Sequence, residues 1–327
     1  AYPRTKGMTS IMTKRSVSRL VSKSGMRRLI AGSGGKKSVL SQVLIYVLLT
    51  GVSFTFLYPI LCFLSASGMD AYDLVDPLVN WLPRSFNTDN FVKAYNALGG
   101  YQTALSSLFW MGIVAVVQTV VSAMVAYGFA KHDFPFRRIL FALMIATFFI
   151  PKQVSFLPEY VMFTTYKMDN SILPVLLPTI FGQGLRHAIF ILIYVQFFRM
   201  APPSLDEAAS IDGASQLGIF LKINLRAATP ATIVVFIFSL VWNWNETTLA
   251  DTYFGKSLVT LPLALQRFRD TFTRMYPVVD TQSIEAQLNQ GVEMAAAVLS
   301  IIPLLLIYVL VERKLIESID KSGITGE

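Results

Sequence analysis

Few residues in this chain have the means to do covalent chemistry, and their spacing argues against most of it. Cys62, the single cysteine, lies in an apolar block and permits neither an intrachain disulfide nor a thiolate cluster, so it reads as a small buried apolar residue. His132 and His187 fall in different segments without metal-binding spacing, which leaves zinc hydrolysis and Ser–His nucleophilic chemistry almost nothing to work with. The run Gly32-Ser33-Gly34-Gly35-Lys36-Lys37-Ser38 has the look of a phosphate loop, but Ile30 stands where its first glycine belongs and Lys37 where a magnesium-binding hydroxyl belongs. What remains is charge in unusual places. Lys152 and Arg186 sit inside apolar segments, and a short acidic helix, Ser204 to Ala214, lies between two such segments.

The elements that must position these residues are membrane helices. Of 327 residues 54% are hydrophobic and only 15% charged, against about 25% charged in soluble domains. The apolar residues gather in blocks near the ~20 residues a helix needs to cross a bilayer. We read an all-α membrane protein of six transmembrane helices, at about 38–64, 104–130, 138–163, 173–198, 229–250 and 293–311. The third is interrupted at Pro151-Lys152-Gln153 and Pro158, the fourth at Pro174, Pro178, Gly182 and Gly184. Such breaks are tolerated at membrane depth only where the freed backbone faces protein or a wet cavity.

Charge sets the direction. Residues 1–40 hold ten Lys or Arg and no acid, and the segments 131–138, 199–228 and the tail after 311 carry three each. The longer alternate loops, 65–103 and 152–172, carry two each. By the positive-inside rule both termini are cytoplasmic, and so is the acidic helix. Residues 1–37 read as a basic cytoplasmic arm drawn to anionic lipid, not a cleavable leader, with a six-helix transmembrane domain at 38–311 and a cytoplasmic tail at 312–327. The basic balance is this arm plus the orientation bias, so no nucleic acid partner is implied.

Ser204 followed by Glu207 makes a capping box, with Pro202-Pro203 closing the preceding span. Gly213 can take the left-handed conformation that stops a helix, which leaves roughly eight residues, about 12 Å. Ala208 and Ala209 keep one side thin enough to enter a cleft, and Glu207 and Asp212 offer charge to basic partners. A capped amphipathic linker lying on the membrane has the same pattern.

The run Glu207-Ala208-Ala209, Asp212-Gly213-Ala214, Phe220, Ile223, Leu225 and Pro230 resembles the EAA loop, here 204–230, of bacterial ABC-importer permeases, more closely the carbohydrate branch that includes the maltose-system permeases. Leu82-Pro83 with Asn87 to Phe91, Ala126-Tyr127-Gly128-Phe129-Ala130-Lys131 with Phe134-Pro135, Trp244-Asn245-Glu246 and Pro303 extend the likeness over much of the chain. Three positions depart: Arg226 replaces a proline, so the second half of the loop can stay helical further; Phe136 replaces a glycine; and Ser106-Ser107-Leu108 stands for a more typical Asn-Ser-Leu.

The resemblance implies a permease that hydrolyses nothing itself. ATP and magnesium would bind a pair of ATP-binding cassette subunits, a second permease subunit would complete a heterodimer, and an extracytoplasmic solute-binding protein would deliver an oligosaccharide. The helix would be the coupling helix, with Ser204, Glu207, Ala208, Ala209, Asp212, Gly213 and Ala214 facing or shaping the ATPase contact. Glu207 would meet a basic ATPase residue, and Asp212 would brace the loop. For the substrate path the candidates are Lys152, Gln153, Arg186, Trp242, Asn243, Trp244, Asn245 and Glu246. Lys152 and Arg186, with Arg267, Arg269 and Arg274 outside, could form a basic route for an acidic, uronate-containing sugar; they could equally snorkel to headgroups and dock a binding protein. The tryptophans could stack on sugar rings or anchor the interface, and the main sugar site could lie on the companion permease. A secondary-active transporter is the alternative, since broken spans and buried charge fit one, but it leaves the acidic helix without a task.

Overall fold

The computed structural model describes residues 39–79, 81–254, 258–277 and 288–323, with side chains between Ser41 and Arg313. The basic arm, its glycine-lysine run and the end of the tail lie outside the described residues. The chain divides into two units, Ala1–Leu64 and Ser65–Glu327. What is described of the first is one helix, α1 (Val39–Ser67), which runs on into the start of the second unit. Its apolar side chains are exposed almost throughout.

The second unit is all helix among its described residues. A short α2 (Asp89–Ala97) precedes α3 (Gly100–Lys131), the long span around which the unit packs. The buried positions of α3 are Ser107, Met111, Val114, Ala115, Gln118, Thr119, Ser122, Ala123, Ala126 and Tyr127, which lie on one helical face and are mostly small. Small residues let backbones approach closely, the main source of packing energy between helices in lipid. Against this face lie α7 (His187–Met200) and α10 (Thr229–Trp244).

The third expected span is two helices, α4 (Arg137–Phe149) and α5 (Lys152–Thr165), meeting at 95° where Ile150 and Pro151 turn extended. A residue before proline is driven out of the helical region, so Ile150-Pro151 ends α4 for a local reason. The fourth is broken between α6 (Leu173–Ile180) and α7, and α7 turns by 73° into α8 (Pro203–Ile211). A further segment, α9 (Gln216–Ala227), meets α10 at 81°. It stays helical through Arg226, as the missing proline predicts. Three helices, α1, α3 and the last, are long and apolar enough to cross a membrane, and the three bent pairs bring the number to six when each counts as one span.

Beyond α10 the chain forms α11 (Thr247–Tyr253), α12 (Leu261–Gln266) and α13 (Phe268–Met275) before the final helix α14 (Gln290–Gly323). The fifth span therefore stops at Trp244, short of the expected 250, because Glu246 takes over as N-cap of α11 by accepting from the N–H groups of Thr248 and Leu249 at 3.1 and 3.3 Å. The sixth continues past 311 to Gly323 without a break. Two apolar cores result. One joins α3, α7, α9 and α10 through Tyr127, Phe190, Tyr194, Phe198, Phe220 and Val235. The other gathers α2, α3 and α10 to α14 around Trp244, Tyr253, Leu263 and Phe268.

The break before α7 frees backbone groups inside the bundle, and Gln118 takes one of them. Its side chain, fully buried, donates through Nε2 to the carbonyl of Leu185 at 2.7 Å, while its Oε1 accepts from Ser239 Oγ at 2.5 Å and Asn243 Nδ2 at 3.0 Å. One amide thus ties α3, the broken span and α10 together. Gly184 belongs to the same arrangement: a Cβ there would stand 2.7 Å from Thr179 Oγ1 and 3.2 Å from Gln118 Nε2. Gln118→Leu keeps the volume but strands these partners, and should cost about 1–3 kcal/mol. Amide exchange of residues 181–187 in the purified protein should rise with it, and an unchanged exchange pattern would refute the tie.

Candidate functional site

The acidic helix is built by its neighbours. Ala201 and Pro202 are extended because each precedes a proline, and this turns the chain out of α7. Pro203 then occupies the first helical position, where its fixed φ fits and its missing N–H costs nothing. This corrects the expected capping box. Ser204 is one residue inside the helix, Pro202 stands at the N-cap, and no side chain caps the helix start.

The other end behaves as its residues require. Gly213 has φ +79°, its N–H donates to the carbonyl of Ser210 at 3.1 Å, and the Ala214 N–H reaches back to Ala209 O at 2.9 Å. These two bonds close a Schellman motif, with glycine at the position where a side chain would be strained.

What holds α8 in place is Asp206, on its inner face. Its Oδ2 lies 2.9 Å from Lys131 Nζ, the last residue of α3, and its Oδ1 accepts from Asn224 Nδ2 at 2.7 Å. Lys131 also donates to the carbonyl of Ala201 at 3.1 Å, at the corner between α7 and α8. Asn224 is buried and closes a π-helical stretch, Phe220–Asn224, that interrupts α9. A π-turn rotates the residues after it relative to those before, and is often found at working sites; this one ends at the residue that reaches Asp206. Three elements, α3, α8 and α9, are therefore joined through one carboxylate, and Lys131 adds the α7 corner.

The opposite face is bare. Leu205, Glu207, Ala208, Ile211 and Asp212 are exposed, Ile211 to 86%, and Leu217 of α9 adds a further 62% exposed leucine beside them. The Glu207 and Asp212 carboxylates have no partner among the described residues. Asp212 therefore does not brace the loop; Asp206 does.

The substrate-path residues divide. Lys152, first residue of α5, is ion-paired with Glu159 two turns on, Nζ to Oε2 2.6 Å, so it is not a free cation. Gln153 beside it is exposed. Arg186 takes φ +54°, a strained conformation for a side chain of its size, and its guanidinium lies 4.6 Å from the ring centre of Trp242. Trp242 is stacked in turn on Phe190 at 5.1 Å. Asn243 and Trp244 are buried, one in the Gln118 network and the other in the apolar core. Asn245 is exposed with its amide on its own helix, and Glu246 caps α11. Outside, Arg267 pairs with Asp251 and Arg269 with Glu293 at 3.0 Å, whose carboxylate also raises the guanidinium pKa of Arg269. Of these five basic candidates, Arg186 and Arg274 have no acidic partner among the described residues. The structure brings Arg186 and Trp242 together and leaves Lys152 with Glu159.

Residues 118–320 match the model of the family described as binding-protein-dependent transport system inner membrane component. The chain is 26% identical over 292 residues to an arabinooligosaccharides transport system permease protein of Halalkalibacterium halodurans, covering 88% of this chain and 98% of that one. It is 26% identical over 279 residues to a polygalacturonan/rhamnogalacturonan transport system permease protein of Bacillus subtilis, covering 85% and 95%. Among solved structures it superimposes with a TM-score of 0.69, at 18% identity, on a chain of a bacterial ABC transporter involved in the import of the acidic polysaccharide alginate, covering 86% of this chain and 99% of that one.

The tie at Asp206 is testable apart from any partner. Asp206→Asn removes the charge pairing with Lys131, and should loosen α8 by about 1–3 kcal/mol, between the values for exposed and buried pairs. Faster amide exchange confined to residues 203–214, partly reversed in the swap Lys131→Asp with Asp206→Lys, is the expected result. Equal exchange in all three proteins would exclude the tie.

Proposed function

The chain belongs to the family of binding-protein-dependent transport system inner membrane components, and from that premise we propose how its parts share the work. It is a multi-pass permease subunit of an ABC importer and not itself an enzyme. Residues 38–311 form the permease domain, and the arm 1–37, the loop 204–230 and the tail 312–327 face the cytoplasm. Two ATP-binding cassette subunits carry ATP and magnesium, a second, different permease completes the pathway, and a solute-binding protein delivers substrate from outside.

One observation carries the coupling role. A helix held from behind by a carboxylate to two partners, Lys131 and Asn224, presents an unpaired Glu207 and an 86% exposed Ile211 on its free side. A free charge ringed by exposed apolar side chains and small residues is what a rigid insert needs to seat in another protein. Closure of the ATPases around ATP would shift α8, and α7, about 21 Å long, would carry the displacement as a rigid body to its far end at Arg186.

The substrate we propose is an oligosaccharide, of acidic, uronate-containing kind. The substrates named for the polygalacturonan/rhamnogalacturonan relative and for the alginate importer support this. So does Arg186, a guanidinium with no acidic partner among the described residues, lying over Trp242 at the break between α6 and α7. A planar donor fork suits a carboxylate, and Trp242, stacked on Phe190, holds that fork in place. Lys152, already paired, contributes no free charge.

Two experiments bear on this. Replacing Glu207 by Lys, or Gly213 by Val, should leave the chain inserted but abolish ATP-driven uptake or release the ATPase on purification; normal transport in both variants would count against coupling through α8. Arg186→Gln should lower uptake of a uronate oligosaccharide about tenfold, the weight of one charged contact, and leave a neutral oligosaccharide of equal length little changed. An equal effect on both sugars would defeat the acidic reading.

A further inference from the structure

A second charged feature lies at the same end of the bundle as α8 and has no part in the coupling just described. Between the end of α3, the start of α4 and the last turn of α7 is a cleft of about 640 Å³. Its walls are aromatic, from Phe129, Phe134, Phe136 and Phe141, and its polar groups are three guanidiniums, of Arg137, Arg138 and Arg199, against the single carboxylate of Asp133. Asp133 is paired with Arg137. Arg138 has no hydrogen bond or ion pair among the described residues, and the Arg199 guanidinium rests 5.7 Å from the Phe141 ring centre. Two unneutralised cations therefore share one aromatic-walled cleft.

Its setting says what kind of anion fits. Lys131, which ties α3 to α8, immediately precedes the loop that forms the cleft, so the cleft opens at the membrane–water boundary rather than at membrane depth. On its other side the exposed Ile139, Leu140 and Leu143 of α4 continue into the span. Phe136, at the loop's last position, has φ +61° and a ring exposed to 74%. A bulky residue in the left-handed region costs of order 1–2 kcal/mol, and strain of this kind persists where the residue has work to do. Here it extends the apolar rim of the cleft outward. The ligand must offer negative charge at the boundary and apolar length beyond it.

We propose that this cleft binds the phosphate headgroup of an anionic phospholipid, with Arg138 and Arg199 as donors and the Phe136, Ile139 and Leu143 flank against its acyl chains. Guanidinium and phosphate match in geometry as well as charge, and basic pockets between membrane helices are recognised headgroup sites. The Phe141 ring steadies Arg199 and the aromatic walls exclude water from one side of the bond, which a loose basic surface would not do. The bound headgroup would seat the join of α3 and α4 at the bilayer surface.

The assembled importer, purified in mild detergent, can be incubated with phosphatidylglycerol or phosphatidylcholine and examined by native mass spectrometry. Retention of phosphatidylglycerol should exceed that of phosphatidylcholine about tenfold, and the double variant Arg138→Gln with Arg199→Gln should lose that preference. Equal retention of the two lipids by the unaltered complex would overturn the proposal whether or not the variant assembles. Displacement of the lipid by millimolar inorganic phosphate would assign the cleft to a soluble anion instead. If the double variant sheds its ATPase while keeping phosphatidylglycerol, the cleft is a protein contact and the proposal fails.

Discussion

The arrangement depends on one carboxylate. Asp206 accepts from Lys131 and Asn224, and Lys131 also holds the carbonyl of Ala201, so the end of α3, the α7–α8 corner, α8 and the π-stretch of α9 are fixed relative to one another through a few polar atoms. Ion pairs at exposed surfaces are worth little, and those fully buried suffer desolvation. This one lies between, with side chains 13% and 22% exposed. Its hydrogen bonds set geometry more than they add stability. The hold leaves α8 firm on one face and free on the other, as the proposed coupling role requires.

The polar tie at Gln118 answers a different demand. Breaking a span gives the bundle room for a path, but it leaves carbonyl and amide groups without their helical partners where water is scarce. Gln118 can serve because an amide both donates and accepts, so one side chain satisfies Leu185 on one side and Ser239 and Asn243 on the other. Asn243 obeys the same logic. Its place in the WNWNE run makes it a candidate for sugar, but it is buried and donates to Gln118 Oε1, the side chain that holds the break. Trp242, one residue earlier and on a different face, is the member of that run left to meet Arg186.

How much could be read in the sequence depends on the range of the interactions. Long apolar blocks, the proline that ends α4 and the glycine that ends α8 act through neighbours a few residues away, and they appear where expected. The Lys152–Glu159 pair is within reach too, since residues seven apart share a helical face, and overlooking it exaggerates the free positive charge of the path. The cap at Ser204 fails because two signals compete: a proline at the first helical position displaces a serine that would otherwise be the N-cap. Asp206 looks like a helix-dipole residue because its true partners, Lys131 and Asn224, lie in other elements. Asn224 reaches it only through a π-turn that no local pattern announces.

These separate ties explain why α7 is the element best placed to connect the two ends. At one end its corner is bound to Lys131 and, through α8, to Asp206; at the other it begins at Arg186, strained and stacked on Trp242, next to the carbonyl held by Gln118. Between them are residues such as Phe190, Tyr194 and Phe198, nearly or fully buried, so the helix cannot bend to absorb a displacement without opening the core. A push on α8 must either break the Asp206 contacts or move α7 as a body. If α7 moves, the break at Phe181 to Arg186 is the nearest place where the backbone can yield, because there it is already out of helical register. The strained Arg186 lies at that break, so motion passed along α7 from the charged helix would reach Arg186 first.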